Sequence, residues 1–361
     1  MLPDEVISSD DIESELKPLY DRLRLPEGRL ELMTGIRERR LWPKGMLPSE
    51  KSIESAQLAI EAASIDRSDI GALIHASVCR DRLEPATACR VHHHLGLSEN
   101  CVVYDVSNAC LGILNGVCQI ANMIELGQIQ AGLVVGTEDS RSLLETTIRS
   151  LNQDDSLTRK TVKSTLASLT IGSGSCAIVL TNRDLSHSGN EIKAVSMRAN
   201  TRFHELCQSD HDQGAAEGMA PLMQTDSENL MKQGIQTGVD TFGQFLQETN
   251  WSQSEIDKSI CHQVGAGHRK LMLESLSLSD QRDYTTMQWL GNTGSVALPI
   301  TLAVAAEQEQ LTQGDRVALL GIGSGINCLM IGVDWRKSMV QGRGQIGLSE
   351  QWPQTCQMQS Q

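Results

Sequence analysis

Aromatic residues and paired cysteines are both scarce in this chain. Phe, Trp and Tyr together make up 3% of its 361 residues, whereas glycine is frequent, with 30 copies. Glycine lets one backbone come close to another, which suits helices packed tightly on sheets. The ten cysteines contain no Cys-x-x-Cys pair. The sequence therefore indicates neither a zinc site nor a disulfide framework, and the pattern is typical of reduced cytosolic thiols.

Positive charge, long apolar runs and a signal peptide are also lacking. The net charge is −14 at pH 7, which argues against nucleic-acid binding because that function needs a basic face. No apolar run reaches the ~18 residues that a membrane span requires. The acidic start, MLPDEVISSDDIESEL, has no apolar signal core. We therefore expect a globular protein in the cytoplasm, with no membrane span and no nucleic acid as partner.

Several common functional motifs are missing or incomplete. There is no G-x-S-x-G elbow, which argues against a serine hydrolase. Residues 321–325 read GIGSG, but a strand pattern follows them rather than the helix that a dinucleotide site needs. His92, His93 and His94 are consecutive on a predicted helix and would point to three different faces, so they form a poor metal cluster. We predict no metal site.

The most informative stretch is residues 101–127, CVVYDVSNACLGILNGVCQIANMIELG. An apolar, β-branched run of strand length opens it, and an almost entirely apolar helical pattern follows Cys110. A helix without a polar face is normally buried on every side. Cys110 should therefore lie where a buried strand turns into a buried helix, and the helix start should lower its pKa. The alternative is that Cys110 is a small buried hydrophobe, as free cysteines usually are.

Weak internal similarity predicts a duplicated fold. Residues 65–75 (IDRSDIGALIH) match residues 252–262 (SQSEIDKSICH), and each is an acidic lead-in to a strand that ends in histidine. The stretch GSGSCAIVL, which starts at Gly172, is echoed by GSGINCLMI, which starts at Gly323. Each half also has one helix without a polar face. Two such halves predict two sheets with the apolar helices sandwiched between them.

This duplication sets the predicted domain boundaries. The first half covers residues 1–183 and the second covers residues 184–336. The first half is longer between its last two strands, so residues 138–171 should be an insertion that acts as a lid, a dimer contact or a substrate tunnel. Residues 337–361 are polar and rich in glutamine, so we predict a disordered tail.

Three candidate site residues occupy matching places in the two halves. Cys110 follows a strand at a helix start, His262 ends a strand, and Asn292 lies just before the second apolar helix. Each residue alone has an ordinary structural explanation. In open α/β sheets, however, functional residues collect at the carboxyl ends of strands, and all three are predicted there.

These motifs resemble those of a known family, the thiolase-fold condensing enzymes of the β-ketoacyl-ACP synthase III type. The resemblance runs from about Leu2 to Trp335. It rests on four motifs: TGIRERR at 34–40, DVSNACLG at 105–112, HQ at 262–263 and GNTGS at 291–295. Within the family the chain is most similar to the head-to-head acyl-CoA condensing enzymes of bacterial long-chain olefin synthesis, through RLPEGRLELMTGI at 24–36 and CRDRLEPATACRVHHHLGL at 79–97. The resemblance implies an α/β thiolase fold with five layers, αβαβα, and a homodimer.

The resemblance also implies roles for individual residues. Cys110 would carry the acyl group, with its backbone N–H, Gly323 and Gly325 in the oxyanion and substrate-binding site. His262 and Asn292 would stabilise the enolate of a second thioester. In the olefin-forming relatives a glutamate from the partner subunit acts as the base, and the matching position is Glu84. The alternative for Glu84 is an acid at the helix start before Pro85, favoured by the helix dipole.

Three departures from the family pattern stand out. The Trp and Arg that usually hold the CoA adenine are replaced by Arg29 and Met33, and the motif HQAN reads HQVG, with Gly265 in place of Asn. Family members also usually carry a first strand before this chain's Met1-Leu2-Pro3. We therefore expect either a misassigned start or a sheet that is one strand short at an edge, which would invite aggregation.

The sequence leaves three functions open. The first is an acyltransferase that condenses two acyl thioesters, most simply fatty acyl-CoA, through an acyl-Cys110 intermediate without decarboxylation. The second is a synthase that joins acyl-CoA to malonyl-ACP with loss of CO2. The third is a thiolase-fold protein that binds acyl chains without turnover. We predict the first, with CoA or ACP thioesters as substrates and no cofactor.

Overall fold

The structure is a computed structural model, which describes residues 1–209, 222–262 and 264–344. The strands within these residues are β1 (Glu5–Ser8), β2 (Glu38–Leu41), β3 (Ile70–Ala76), β4 (Val102–Val106), β5 (Ala131–Glu138), β6 (Gly174–Thr181), β7 (Glu191–Ala199), β8 (Cys207–Ser209), β9 (Met223–Thr225), β10 (Lys258–Cys261), β11 (Arg316–Gly323) and β12 (Asn327–Asp334). The helices are α1 (Ser9–Glu15), α2 (Lys17–Leu23), α3 (Arg29–Thr34), α4 (Pro48–Ala63), α5 (Thr87–Leu95), α6 (Gly112–Glu125), α7 (Arg141–Gln153), α8 (Ser227–Thr249), α9 (Ala266–Ser275), α10 (Met287–Leu290) and α11 (Ala297–Glu307). Among these residues no helix combines the length and the apolarity needed to cross a membrane.

Two four-stranded mixed sheets form the frame. The first has the order β4-β3-β5-β6, and the second has the order β10-β11-β12-β7. In the first sheet β3 is parallel to β4 and β5, and β6 is antiparallel to β5. In the second sheet β10 and β11 are parallel, while β12 is antiparallel to both of its neighbours. Each sheet therefore has its parallel strands at one side and an antiparallel strand at the other.

The predicted five layers are confirmed. Helices α6 and α11 lie between the two sheets and share one apolar core with both of them. Helices α4 and α5 cover the outer face of the first sheet, and α8 and α9 cover that of the second. Leu111, Ile113 and Ile120 are each at most 1% exposed, and burying such a side chain stabilises a fold by roughly 1.5–3 kcal/mol. The central core therefore fixes the two halves against each other.

Helix α6 is less completely buried than its sequence predicts. At its start Gly116 lies so close to the sheet that a Cβ there would come within 2.6 Å of Val134 Cγ1. Its last turn instead emerges from the core, and Leu126 beyond it is 73% exposed. The prediction of burial on all sides is therefore wrong for the end of the helix.

The N-terminal region contains regular structure outside the two large sheets. Residues 28–44 contain α3 and β2, and β2 pairs with β1. Helix α8 begins at Ser227, with the Asp226 side chain accepting a hydrogen bond from Asn229 N–H at its start.

The predicted insertion, residues 138–171, forms a separate packing unit with the N-terminal helices. Its helix α7 packs beside α2. One apolar cluster unites Leu144, Ile148 and Leu151 of α7 with Ile12 and Leu19 of α1 and α2. The insertion therefore completes a small core outside the duplicated frame.

Strand β6 lies at the outer edge of the first sheet. Among the described residues its outer side is met by the start of the chain, where Met1 and Ser175 exchange two backbone hydrogen bonds of 2.7 and 3.0 Å. A cavity of about 1580 Å³ runs along this edge, lined by β6, α4, α6 and α11. Residues 339–344 also line it, and Arg343 C=O accepts a hydrogen bond from Leu2 N–H. The predicted tail therefore begins as a segment packed on the body, and its remainder, residues 345–361, lies outside the described residues.

Candidate active site

A tight turn between β4 and α6 carries Cys110. Asn108 C=O accepts a hydrogen bond from Leu111 N–H at 2.9 Å. Ala109 has a φ of 44°, in the left-handed region that costs a residue with a Cβ of the order of 1–2 kcal/mol. Gly323, at the end of β11, faces this turn, and a Cβ there would lie 3.5 Å from Cys110 N. The Cys110 backbone is therefore approached closely by the second sheet.

The environment of Cys110 opposes ionisation, contrary to our expectation. Burial, with smaller contributions from the nearby Glu138 carboxylate and Cys207, raises the pKa of the Cys110 thiol to about 12. The prediction that the helix start lowers this pKa is wrong, because desolvation and a neighbouring negative charge outweigh the helix dipole. In the free protein Cys110 is a thiol rather than a thiolate.

His262 follows the last residue of β10 and is 5% exposed. Its backbone N–H donates to Leu320 C=O at 3.0 Å, which continues the pairing of β10 with β11. Burial, with a smaller contribution from His268 on α9, lowers the pKa of His262 to about 3. The imidazole is therefore neutral at physiological pH. Gln263 of the predicted HQ motif lies outside the described residues.

Asn292 is held in a fixed orientation by the insertion. Its backbone N–H donates to Thr170 C=O and its C=O accepts from Gly172 N–H, both at 2.9 Å. Its side-chain Oδ1 accepts from Gly294 N–H at 3.0 Å, so the amide nitrogen is turned away from that contact. Gly291 has a φ of 63°, and a Cβ there would lie 2.5 Å from Thr170 O. Glycine is therefore required before Asn292.

The three candidate residues lie on loops that meet between the sheets. Gly323 joins the end of β11 to the Cys110 turn. The Ser295 hydroxyl, three residues after Asn292, donates to Ala76 C=O at the end of β3 at 3.1 Å. His262 leaves β10 beside Leu320 of β11. The structure therefore brings the loops of Cys110, His262 and Asn292 to the carboxyl ends of parallel strands, as the sequence predicts.

Gly325 affects the Cys110 turn indirectly, through Asn327. Its φ is 132°, and a Cβ there would lie 2.6 Å from Asn327 Nδ2. That nitrogen donates to Asn108 Oδ1 at 3.2 Å, and Asn108 Nδ2 donates in turn to Asn115 Oδ1 at 2.7 Å. Gly325 therefore makes room for an asparagine chain that ties β12 to the Cys110 turn.

Glu84 is exposed and lies in the stretch that precedes α5. The start of α5 is capped by Asp105 of β4, whose carboxylate accepts from Thr87 N–H and Ala88 N–H, both at 2.8 Å. The role of helix-start acid, which was the alternative for Glu84, is therefore taken by Asp105. Two apolar side chains in the same segment between β3 and α5, those of Val78 and Leu83, are 54% and 52% exposed.

Sequence reasoning missed Glu138, the last residue of β5. We assigned this position to the start of the insertion, but its side chain is buried at 6% exposure. Its Oε1 accepts from Val78 N–H at 3.1 Å, from Ser295 N–H at 3.3 Å and from the Ser295 hydroxyl. The available signal was an acid two residues after the apolar run AGLVVG, with only Thr137 between them.

The cavity at the β6 edge does not include Cys110, His262 or Asn292 in its described lining. It lies beside the later part of α6, whereas Cys110 precedes that helix. We therefore assign the candidate active site to the converging loops rather than to this cavity.

Comparisons with known proteins agree with this geometry. The family described as thiolase, N-terminal domain, matches residues 43–187, and 3-oxoacyl-[acyl-carrier-protein] synthase III C terminal matches residues 246–335. An acyl-CoA:acyl-CoA alkyltransferase of Shewanella oneidensis is 43% identical over 91% of this chain and 95% of its own length. One of Xanthomonas campestris is 35% identical over 91% and 94%.

A solved structure leads to the same family. It is a cysteine-to-serine variant of Xanthomonas campestris OleA with bound lauric acid and lauroyl-CoA, and it superposes with a TM-score of 0.86 at 34% identity. The match covers 92% of this chain and 96% of that one. The chain therefore belongs to the family of acyl-CoA:acyl-CoA alkyltransferases, which are acyltransferases of the thiolase fold.

Proposed function

We propose that this protein joins two fatty acyl-CoA molecules head to head, without decarboxylation, into a β-keto product. The observation that carries this proposal is Glu84, an exposed carboxylate whose helix-capping role is taken by Asp105. Condensing two plain acyl thioesters requires a base for an unactivated α-proton, whereas decarboxylation of malonyl-ACP does not. The names of the relatives and the lauroyl-CoA bound to OleA support the same substrate class.

The first proposed step loads an acyl group on Cys110. The thiol sulfur attacks the thioester carbonyl, the carbon–sulfur bond to CoA breaks, and the thiol proton leaves on the CoA sulfur. The Cys110 backbone N–H, in the turn faced by Gly323, stabilises the tetrahedral oxyanion. Because Cys110 starts as a thiol, the proton must move during the attack rather than before it.

The second proposed step forms the carbon–carbon bond. The Glu84 carboxylate removes the α-proton of the second acyl-CoA, and the resulting enolate attacks the acyl carbon on Cys110. The carbon–sulfur bond to Cys110 then breaks and the sulfur leaves as a thiolate. The thiolate takes up a proton from solvent and Glu84 releases its proton to solvent, which regenerates both groups. Neutral His262 and the Asn292 amide donate hydrogen bonds to the enolate oxygen, and such donors are most effective in a site that excludes water.

We further propose a cytoplasmic homodimer in which Glu84 serves the site of the partner subunit. The exposed Leu83, which precedes Glu84 in sequence, and the exposed Val78 in the same segment between β3 and α5 support an interface there. The substrates are CoA thioesters, with ACP thioesters as the alternative donor, and no other cofactor takes part. The insertion, residues 138–171, is proposed to support the site, because Thr170 holds Asn292.

A product assay tests the proposal. The protein is incubated with long-chain acyl-CoA alone, and with acyl-CoA plus malonyl-ACP, while CoA release, CO2 and the β-keto product are measured. We expect product and CoA from acyl-CoA alone, with no CO2. Product formed only with malonyl-ACP and with CO2 would establish the synthase alternative, and failure to form any acyl adduct on Cys110 would establish the non-catalytic binder.

Subunit mixing tests the proposed donation across the dimer. Glu84→Ala and Cys110→Ala subunits are each inactive in this account, but a mixed dimer contains one site with both residues. Random exchange should restore about a quarter of the sites, because half of the dimers are mixed and each has one complete site. No recovery in confirmed mixed dimers would place Glu84 outside the partner's site.

A further inference from the structure

Glu138 is a buried carboxylate close to the active site. The proposed reaction does not use it. It ends β5 and is 6% exposed. A buried carboxylate is costly unless hydrogen bonds and neighbouring groups compensate for its lost hydration. Its position at the meeting point of the loops therefore needs an explanation.

The hydrogen bonds of Glu138 join the two halves of the molecule. Its Oε1 accepts from Val78 N–H in the segment after β3, 60 positions away, and from Ser295 N–H before α11, 157 positions away. The Ser295 hydroxyl and the Cys79 side chain are further partners. One carboxylate thus holds a strand end of the first sheet to the start of the second buried helix.

The same contacts lead directly to Asn292. Gly294 packs against Glu138, and a Cβ at Gly294 would lie 3.2 Å from the Glu138 carboxyl carbon. Gly294 N–H donates to the Asn292 side chain at 3.0 Å. A shift of the Glu138 carboxylate would therefore be transmitted through Gly294 and Ser295 to the Asn292 amide.

Glu138 also acts electrostatically on Cys110. Burial is the largest cause of the raised Cys110 pKa. The Glu138 carboxylate is the second largest, and Cys207 is the third. Burial raises the pKa of the Glu138 carboxyl itself, and the hydrogen bonds that it accepts from Ser295, Val78 and Cys79 oppose this rise and favour the carboxylate. The Cys79 thiol is the titratable group that bonds to Glu138. Replacing Glu138 by a neutral group should therefore ease ionisation of Cys110.

We propose that Glu138 is a positioning residue: its carboxylate fixes the Asn292 loop against the Cys110 turn and keeps a negative charge beside the thiol. This inference deepens the proposed function and rests on it for the role of Asn292. It assigns two separable effects to one side chain, a tether through Ser295 and a charge felt by Cys110.

Two variants separate these effects. Glu138→Gln removes the charge at nearly constant volume, and Ser295→Ala removes one tether while leaving the charge. Alkylation of Cys110 by iodoacetamide is followed against pH by peptide mapping, and condensation is measured in parallel. We expect Glu138→Gln to alkylate Cys110 faster than the wild type at a fixed pH, because a thiol with a lower pKa has a larger thiolate fraction, whereas Ser295→Ala keeps the wild-type profile. Both variants should lose roughly tenfold to 100-fold in condensation, since a small displacement of a positioned group has that effect.

Asp139→Asn is the matched control. Asp139 is the neighbouring acid, but its side chain bonds to Arg141 N–H and the Ser173 hydroxyl rather than to Ser295. It should leave both the alkylation profile and condensation unchanged.

A wild-type alkylation profile in Glu138→Gln, or wild-type condensation in Ser295→Ala, would overturn the proposal. If Glu138→Gln does not fold, Ser295→Ala alone decides the tether. Alkylation requires no acyl-CoA, so failure of the proposed reaction would be seen separately, as absence of product from the wild-type protein.

Discussion

His75 and His262 end the two most similar segments of the sequence, yet they lie on opposite faces of their sheets. The segments carry matching turns, with a side chain of Asp66 or Ser252 capping a short 3-10 turn before each strand. When Asp66 is aligned with Ser252, His75 occupies the position of Cys261, and His262 occupies the position of Ala76. His75 and Cys261 are each 1% exposed. The sequence match is therefore out of register by one residue.

The packing clusters confirm this offset. In β3, Ile74 and Ala76 belong to the central core between the sheets, whereas Leu73 belongs to the outer cluster. In β10, Ile260 belongs to the central core and Cys261 to the outer cluster. Since side chains alternate along a strand, His75 faces the outer layer and His262 faces the site. A shift of one residue along the strand therefore makes His75 a structural histidine and His262 a candidate catalytic one.

Replacing each histidine by alanine tests the comparison most strongly. Losing a donor to a developing oxyanion costs roughly 100- to 1000-fold in rate, so His262→Ala should reduce condensation by that factor and spare acyl loading on Cys110 more. His75→Ala should instead lower the free energy of unfolding by about 1–3 kcal/mol with near wild-type turnover per folded molecule. Rapid-quench assays of loading and condensation, with urea unfolding, measure both. Equal loss of the two steps in His262→Ala would show that its role is wrongly assigned.

The residues that precede Cys110 and Asn292 offer a second comparison. Ala109 and Gly291 both have left-handed backbones, with φ of 44° and 63°. Gly291→Ala would bring a Cβ within 2.5 Å of a backbone oxygen, so we expect a loss of about 2–3 kcal/mol in the free energy of unfolding. Ala109→Gly relieves strain but adds freedom to the unfolded chain, so its effect should stay within about 1 kcal/mol. Urea unfolding of both variants measures the difference, and equal losses would contradict it.

The pH dependence of stability gives a further test, at the level of single side chains. His262 and His268 have pKa values lowered by burial to about 3 and about 4, against an ordinary value of about 6.5. The unfolded chain therefore binds protons more readily below pH 6.5, and the stability present above that pH is lost as the pH falls toward 3. Each histidine contributes a slope of up to about 1.4 kcal/mol per pH unit. His268→Gln should reduce the slope between pH 6 and about 4.5, and an unchanged slope would contradict the assignment.

The frame of the fold could be predicted because it depends on patterns that a sequence displays. The apolar run before Cys110 gave β4, the apolar pattern behind Cys110 gave α6, and the two similar segments gave β3 and β10. The segment around β2 was missed because its partner β1 is short and half exposed, so neither strand has an apolar run of its own. Pairing between distant short strands is set by tertiary contacts rather than by local pattern.

The site could be predicted as a set of residues but not as an electrostatic environment. Cys110, His262 and Asn292 were predicted from motifs and their places at strand and helix ends. The pKa of Cys110 was predicted in the wrong direction, because it depends first on burial and then on Glu138, a residue 28 positions away in sequence that folding places nearby. Such a charge acts through space, and local sequence carries no signal of it.

The fate of the acyl group in Glu84→Ala tests the central claim most directly. The protein is incubated with long-chain acyl-CoA, and intact-protein mass spectrometry follows the acyl adduct on Cys110 while the β-keto product is assayed, with Glu99→Ala as a matched exposed-glutamate control. The account predicts that Glu84→Ala accumulates acyl-Cys110 and forms no product, because the α-proton of the second acyl-CoA is no longer removed. Condensation by Glu84→Ala at a rate near that of the wild type would contradict it.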